Sequence, residues 1–197
     1  MLDLIKKFES PTIASNIYLI RDAATKKYAM IDCGGICKEM ESYAEDNNAK
    51  IEYILLTHGH FDHIRAAEHY RKKYGAKIVI SEEEAEFTTD NTLNLSNMFG
   101  CEMKPFKSDL LLKDGQTVMM GESKITFMLT PGHTKGSGCF LCDDKVIFTG
   151  DTMFSMGFGR TDLPTGDPSQ LQKSLELLYK YKGYTIYPGH GEKSLIC

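Results

Sequence analysis

Apolar positions fall in short runs at the start of the chain, and the runs predict strands. Leu2 to Phe8 and Ile13 to Ile20 are rich in β-favouring residues, most densely at Asn16-Ile17-Tyr18-Leu19-Ile20, and a polar turn at Asp22 to Lys26 leads to Tyr28-Ala29-Met30-Ile31-Asp32. This hairpin ends in a tight turn at Cys33-Gly34-Gly35. The period then changes. Ile36, Met40, Tyr43 and Ala44 recur at i, i+4, i+7 and i+8, the spacing of a helix that buries one side and exposes Lys38, Glu39 and Glu45.

A strand at Ile51 to Leu56 precedes a polar interruption, after which a helical pattern runs to about Tyr74 and stops at Gly75. Lys77 to Ile80 predicts a short strand, and Ser81-Glu82-Glu83-Glu84 has the spacing of a capping box that opens a second short helix. From Thr88 to Ser108 the periodicity is weak, which predicts a helical or looped excursion and a candidate wall or lid for a site. Strands return at Thr117 to Met120, Lys124 to Leu129, Gly138 to Cys142 and Lys145 to Thr149, with turn signals at Asp114-Gly115 and Asp143-Asp144. Asp167-Pro168 reads as an N-cap with proline in the first helical turn, followed by Leu171, Leu175, Leu178 and Tyr179 on one face. Tyr184 to Tyr187 is the last predicted strand.

Composition narrows the class. Hydrophobic residues make up 42% of the 197 residues and charged residues 25%, values ordinary for a folded globular chain. One domain, 1–197, is expected. A net charge of −4 supplies no broad basic face, so a small-molecule substrate is expected rather than nucleic acid. Charges break the N-terminal stretch before an apolar signal forms, and no run approaches a membrane span, so a cytoplasmic protein without membrane association is the expectation. The pattern carries no signal of oligomeric state. Six scattered cysteines, Cys33, Cys37, Cys101, Cys139, Cys142 and Cys197, read as reduced thiols. Cys139 and Cys142 have CxxC spacing, which suits a redox or zinc pair. They also sit in a predicted strand, where i and i+3 face opposite sides, and strand core is the favoured reading.

The polar interruption at Thr57-His58-Gly59-His60-Phe61-Asp62-His63 is where the chemistry concentrates. It packs three imidazoles and a carboxylate between the end of a strand and the start of a helix, the usual place for function in an α/β chain. His133 in Thr130-Pro131-Gly132-His133-Thr134, His190 in Pro188-Gly189-His190-Gly191 and Asp151 in Thr149-Gly150-Asp151-Thr152 share that strand-end context. Seven such groups exceed what one tetrahedral ion needs, so two divalent metals are implied, zinc foremost and iron or manganese also compatible. His69 lies inside a predicted helix and reads as packed or solvated. A faint echo links the halves: Tyr28–Asp32 followed by Leu55–Gly59 resembles Lys145–Asp151 followed by Ile186–Gly191. It suggests two β/α halves whose histidine-bearing strand ends meet at one edge.

The ordered series His58-x-His60-x-Asp62-His63, His133, Asp151, His190, together with the Ile31-Asp32-Cys33-Gly34-Gly35 turn, resembles the metallo-β-lactamase-fold hydrolases over nearly the whole chain. That resemblance implies an α/β fold, a four-layer αβ/βα sandwich with the site on one edge. It implies that His58, His60 and His133 hold one metal, that Asp62, His63 and His190 hold the second, and that Asp151 bridges them. Two ions sharing a water would furnish a bridging hydroxide nucleophile at neutral pH and polarise a carbonyl, with Asp62 as the catalytic residue orienting that hydroxide. Thr57, Thr134 and Ser137 are candidates to orient the ligands by hydrogen bonds.

The stretch Gly150 to Asp162 is similar to the glyoxalase II branch, the hydroxyacylglutathione hydrolases that cleave the thioester S-lactoylglutathione, in a compact form without the branch's C-terminal helical domain. The similarity implies Arg160 as a substrate contact, with a structural Arg160–Asp162 pair as the equal alternative. Thioesters of a smaller thiol, other esters and lactones remain open as substrates. The rival reading is a persulfide dioxygenase, which would use one iron held by His58, His133 and Asp151. A non-catalytic metal-binding module is the third.

Overall fold

The computed structural model describes residues 1–11, 13–142 and 145–197. The turn expected at Asp143-Asp144 lies outside the described residues. Two six-stranded sheets face each other. The first runs in spatial order through β1 Leu2–Glu9, β2 Asn16–Asp22, β3 Lys27–Ile31, β4 Lys50–Leu55, β5 Lys77–Ser81 and β6 Leu110–Leu112. Its first three strands are antiparallel and the rest join in parallel. The second sheet is built from β7 Thr117–Met120, β8 Ser123–Leu129, β9 Gly138–Cys142, β10 Val146–Gly150, β11 Thr185–Pro188 and β12 Ser194–Leu195, adjacent in that order. Helices α1 Lys38–Asp46, α2 Phe61–Ile64 and α3 Ala67–Tyr74 are associated with the first sheet, and α4 Pro168–Leu178 with the second. This is the four-layer αβ/βα sandwich expected.

The layering follows from strands that are apolar on both faces. Tyr18, Ile20, Ala29, Ile31 and Val79 point between the sheets against Ile125, Phe127, Phe140 and Phe148. The alternate positions Ile17, Leu19, Met30, Ile78 and Ile80 point outwards onto Met40, Ala44, Ile64 and Tyr70 of the helices. Cys139 and Cys142 divide the same way, Cys139 with Ile147 and Leu178 in the α4 layer and Cys142 between the sheets. Cys33, Cys37, Cys101, Cys139 and Cys197 are free thiols. Burial pushes the Cys139 thiol up to about 12, which suits a packing residue and not a reactive one.

Several expected boundaries move, and at the first helix pair and at α1 the reason is a backbone group engaged elsewhere. The helix expected to run on to Tyr74 is two helices. The Asp62 and His63 carbonyls, which would continue its ladder, accept instead from Ser15 Oγ (2.6 Å) and from the Cys33 N–H (2.7 Å), and the Ala66 N–H donates to the Cys33 carbonyl (2.8 Å). β2 begins only at Asn16: the Ser15 N–H donates to the Ile13 carbonyl (2.5 Å), a tight local turn, and Ser15 itself makes only an isolated bridge to His190. Ile36 is 46% exposed and precedes α1, whose start is set by the Cys37 N–H donating to Tyr70 Oη (2.8 Å). The capping box does not close: Ser81 Oγ accepts from the Glu83 N–H (3.3 Å), Glu84 turns inward, and the segment Glu82–Thr88 is a 3₁₀ helix. The Asp167 cap forms as expected, but Tyr179 lies beyond α4 and is exposed. β6 and β12 had no alternation long enough to announce them. Among the described residues, no helix is long and apolar enough to cross a membrane.

The echo between halves corresponds to two parallel strand pairs, β3 with β4 and β10 with β11, one in each sheet. The sheets are fastened at the edge where these pairs end. The Asn16 N–H donates to the Gly189 carbonyl (2.7 Å), Asn16 Nδ2 to the Pro188 and Gly191 carbonyls (2.9 Å each), and Tyr18 Oη to the Pro188 carbonyl (2.7 Å). From the other side, the Gly138 N–H donates to the Thr57 carbonyl (2.9 Å). Asn16 is buried, so Asn16→Ala strands acceptors that water reaches poorly. We expect a loss of about 2 kcal/mol, read as a fall in Tm of roughly 4–8 °C in thermal unfolding.

Candidate metal centre

β4 delivers the His-rich stretch to this edge, and Asp32 anchors its first residue. Asp32 follows β3 in the left-handed region (φ 55°), which aspartate tolerates better than most residues. There it accepts from the Thr57 N–H and from Thr57 Oγ1 (2.8 Å each) and faces His63 Nδ1 at 2.8 Å. Two residues on, the Gly59 N–H donates to the buried Glu84 carboxylate (2.7 Å), and a Cβ at position 59 would lie 2.3 Å from Phe87 Cβ. Glycine between His58 and His60 is therefore a packing requirement. His60 then caps α2, whose first turn presents Asp62 and His63.

His58, His60 and His133 converge. His60 Nδ1 lies 3.2 Å from His58 Nε2 and 3.0 Å from His133 Nε2, with all three rings buried. Outer partners assign the protons of His133 and His58, whereas His60 Nε2 is buried with no partner among the described residues. His133 Nδ1 faces the Arg160 carbonyl (2.8 Å), an acceptor only, and His58 Nδ1 faces Thr57 Oγ1 (3.1 Å), whose own proton goes to Asp32. Both Nε2 lone pairs thus point inward. Burial and the neighbouring imidazoles hold His58 and His60 well below the usual histidine range, so both rings are neutral.

A second group adjoins the first. His63 Nε2 and His190 Nε2 are 3.3 Å apart, with Asp62 Oδ2 at 3.6 Å and 3.4 Å from them. His190 Nδ1 donates outward to the Ala14 carbonyl (2.9 Å). Asp151 spans both groups: Oδ1 is 3.5 Å from His63 Nε2, and Oδ2 is 3.5 Å from His190 Nε2 and 3.7 Å from His133 Nε2. Gly189 makes that approach possible, since a Cβ there would lie 2.2 Å from Asp151 Oδ1. Burial works against charge on His63, but Asp62, Asp151 and Asp32 outweigh it and push His63 up to about 10. Burial likewise opposes ionisation of Asp62, and His63 and His190 overcome it, holding that carboxyl well below its usual range.

This donor set fits divalent metal ions. Lone pairs crowded at about 3 Å repel one another unless a proton or a metal ion lies between them, and the carboxylate surplus that favours a proton on His63 favours a metal in its place. Asp151 Oδ1 is buried with no hydrogen-bond donor, which leaves it available for the same purpose. Three combinations of these side chains bring one ligand atom each within 4.8 Å of the others: His58, His60 and His133; His58, His63 and Asp151; Asp62, His63 and His190. All seven expected side chains are thus brought together. His69 is apart from them, paired with Glu41 at 2.7 Å.

Of the supporting residues expected, Thr57 touches His58 directly. Thr134 and Ser137 bond each other (2.6 Å) and brace the turn that carries His133. Arg160 pairs with Asp162 through Nε and Nη2 (2.6 Å each), and its carbonyl positions His133. Its side chain also borders a cavity of about 400 Å³ floored by His60, Asp62, His133, Asp151 and His190. Leu95, Met98 and Phe99 from the irregular 88–108 stretch form part of the cavity wall, as expected of it. Two residues escaped notice as functional in the sequence. Asp32 was read as the end of a strand and as part of the Ile31–Gly35 turn that carries the resemblance, without a role of its own, and Glu84 was read as half of a capping box.

A model of the metallo-β-lactamase superfamily matches residues 11–190. The chain belongs to the metallo-β-lactamase superfamily. It is 34% identical to the probable metallo-hydrolase MJ0888 of Methanocaldococcus jannaschii, over 96% of this chain and 93% of that one. The hydroxyacylglutathione hydrolase GloC of Haemophilus influenzae is 32% identical, over 87% of this chain and 83% of that one. Among solved structures, the BLEG-1 B3 metallo-β-lactamase superposes with a TM-score of 0.92 at 27% identity, covering 98% of this chain and 94% of that one. With its cluster of metal-compatible His and Asp side chains, this superfamily member is a metal-dependent hydrolase.

Two outcomes follow from the supporting carboxylates. Asp32→Asn loses the acceptor that orients His63, and we expect zinc affinity to fall roughly 10–100-fold in a competition titration. For Glu84, burial pushes the carboxyl up to about 7 although the Gly59 and Gly136 N–H groups donate to it. The folded protein therefore holds this proton more tightly than the unfolded chain does. Its contribution is complete below the ordinary value of 4.5 and is lost as pH rises through 7. In urea unfolding, Glu84→Gln should remove that fall in stability between pH 5 and 8. It should also cost about 1–3 kcal/mol at low pH, because an amide NH₂ meets a buried N–H.

Proposed function

We propose that the seven side chains hold two divalent ions, zinc foremost with iron or manganese as alternatives, and that the protein hydrolyses a thioester of the S-lactoylglutathione type. In this reading His58, His60 and His133 hold one ion, Asp62, His63 and His190 the other, and Asp151 bridges. The observation that carries it is the Asp151 carboxylate, whose Oδ2 lies 3.7 Å from His133 Nε2 and 3.5 Å from His190 Nε2 while Oδ1 faces His63 Nε2. Bound there, the ions would supply Lewis acidity and a water of near-neutral pKa. The likeness to GloC supports the thioester, and the likeness to MJ0888 supports hydrolysis more broadly.

The chain's own groups divide the remaining work. Asp62 stays ionised at the cavity floor and serves as the catalytic carboxylate, accepting a hydrogen bond from the attacking water and orienting it. His58, His63, His133 and His190 each keep the outward nitrogen tied to a fixed partner, so their inward nitrogens hold position without reorganisation. The apolar cavity walls exclude water from the scissile bond. Arg160 borders the substrate space and is the nearest candidate for a contact beyond the reacting carbonyl.

Metal analysis of freshly purified protein alongside hydrolysis of S-lactoylglutathione tests the proposal. Two ions per chain with thioester cleavage are expected. One iron with oxygen uptake on a persulfide would transfer the protein to the dioxygenase class, and two ions with cleavage only of other esters or lactones would replace the substrate. Asp151→Ala should lose both ions together, since one ion retained contradicts bridging. Asp62→Asn should lower kcat by about 10²–10⁴-fold.

A further inference from the structure

The cavity above the metal centre is apolar on nearly every side that a substrate would touch. Ile13, Leu95, Met98 and Phe99 line it together with Phe154 and Leu163. Met98 is 66% exposed and Phe99 57% exposed, large apolar groups held in the open at the mouth of a cleft. They are not loosely placed. Phe99 packs its ring on Phe61 with centroids 5.0 Å apart, and Phe61 immediately precedes Asp62. Phe154 sets its ring against the edge of His190 at 6.2 Å. The wall is thus fastened to the segments that carry the metal-centre residues.

The guanidinium at this mouth already has a partner. Arg160 is the cation among the described lining residues, and its guanidinium makes the two-point pair with Asp162. A peptide thiol bearing carboxylates would have to displace Asp162 to gain that cation, or leave its own charges beside Met98 and Phe99. An uncharged hydrocarbon chain gains from the same surface without breaking anything.

We infer that the substrate carries an apolar chain, seated between the Met98–Phe99 wall and Phe154–Leu163, and that this chain is preferred over a charged peptide thiol. The inference rests on the thioester-hydrolase reading for the reaction and, within it, puts an apolar chain in place of the glutathione part of the substrate. It does not need that reading for the binding. Two measurements on the metal-loaded full chain separate them. Calorimetric titration with straight-chain carboxylates from acetate to octanoate, the acid products of such substrates, should show affinity rising about fourfold per methylene until the cavity is filled. Phe99→Ser and Met98→Ser replace exposed side chains and so preserve the fold, and each should flatten that rise to roughly twofold or less per methylene.

In kinetics, kcat/KM for octanoyl-N-acetylcysteamine should exceed that for S-lactoylglutathione by at least about tenfold, and Phe99→Ser should shrink the octanoyl-to-acetyl ratio by about as much. Chain-length-dependent binding without cleavage of any thioester would overturn the reaction and uphold the inference. Flat binding, or S-lactoylglutathione cleaved faster than every alkyl thioester, would overturn the inference and leave the reaction standing.

Discussion

Imidazole nitrogens from the His58–His63 stretch, His133 and His190 are held 3.0 to 3.3 Å apart at one edge of the sandwich, beside two carboxylates. Without a proton or a metal ion among them these groups repel, and no local preference of the chain would bring them together. The rest of the fold supplies the restraint. Strands apolar on both faces commit the two sheets to a shared core, and once they stack, the ends of β4, β10 and β11 are brought to the same edge. The metal centre is the electrostatic cost of that arrangement, and a cation is what relieves it.

Several contacts that break regular structure also aim the site. The interruption between α2 and α3 exists because Ser15 and Cys33 take the carbonyls that would have continued one helix, and those carbonyls belong to Asp62 and His63. The failed capping box has the same logic. Glu84 gives up Ser81 to hold the backbone of Gly59 and Gly136, joining the His58–His60 loop to the turn after His133. A regular helix or a closed cap would be locally better and would misplace ligands, which is where departures from local rules are expected.

Much of this was legible beforehand. The two-sided apolar strands announced a buried sheet core, and the histidines next to strand ends announced where it would be functional. The opposite orientation of Cys139 and Cys142 followed from strand geometry alone. Elements of two or three residues, such as β6 and β12, carried too little pattern to be read. Ile36 matched a helical period and still falls outside α1, because periodicity does not know which N–H has a better partner elsewhere; Tyr179 keeps its helical bond to the Leu175 carbonyl at the end of α4, and its side chain is exposed.

What the sequence by itself determined is the chemistry available: imidazole and carboxylate in the order and local setting of a metallo-β-lactamase superfamily member, on strands able to form a four-layer sandwich. These are properties of residue type and near spacing. The tertiary structure alone decided how the groups are divided, with Asp151 between two clusters, Asp32 behind His63 and Thr57, and Glu84 behind Gly59. It also decided that Arg160 spends its charge on Asp162, and that the wall above the site is made by Met98 and Phe99 from a stretch without period. Each depends on contacts between residues far apart in the chain, or on which of two available partners a side chain takes, and only packing chooses between those.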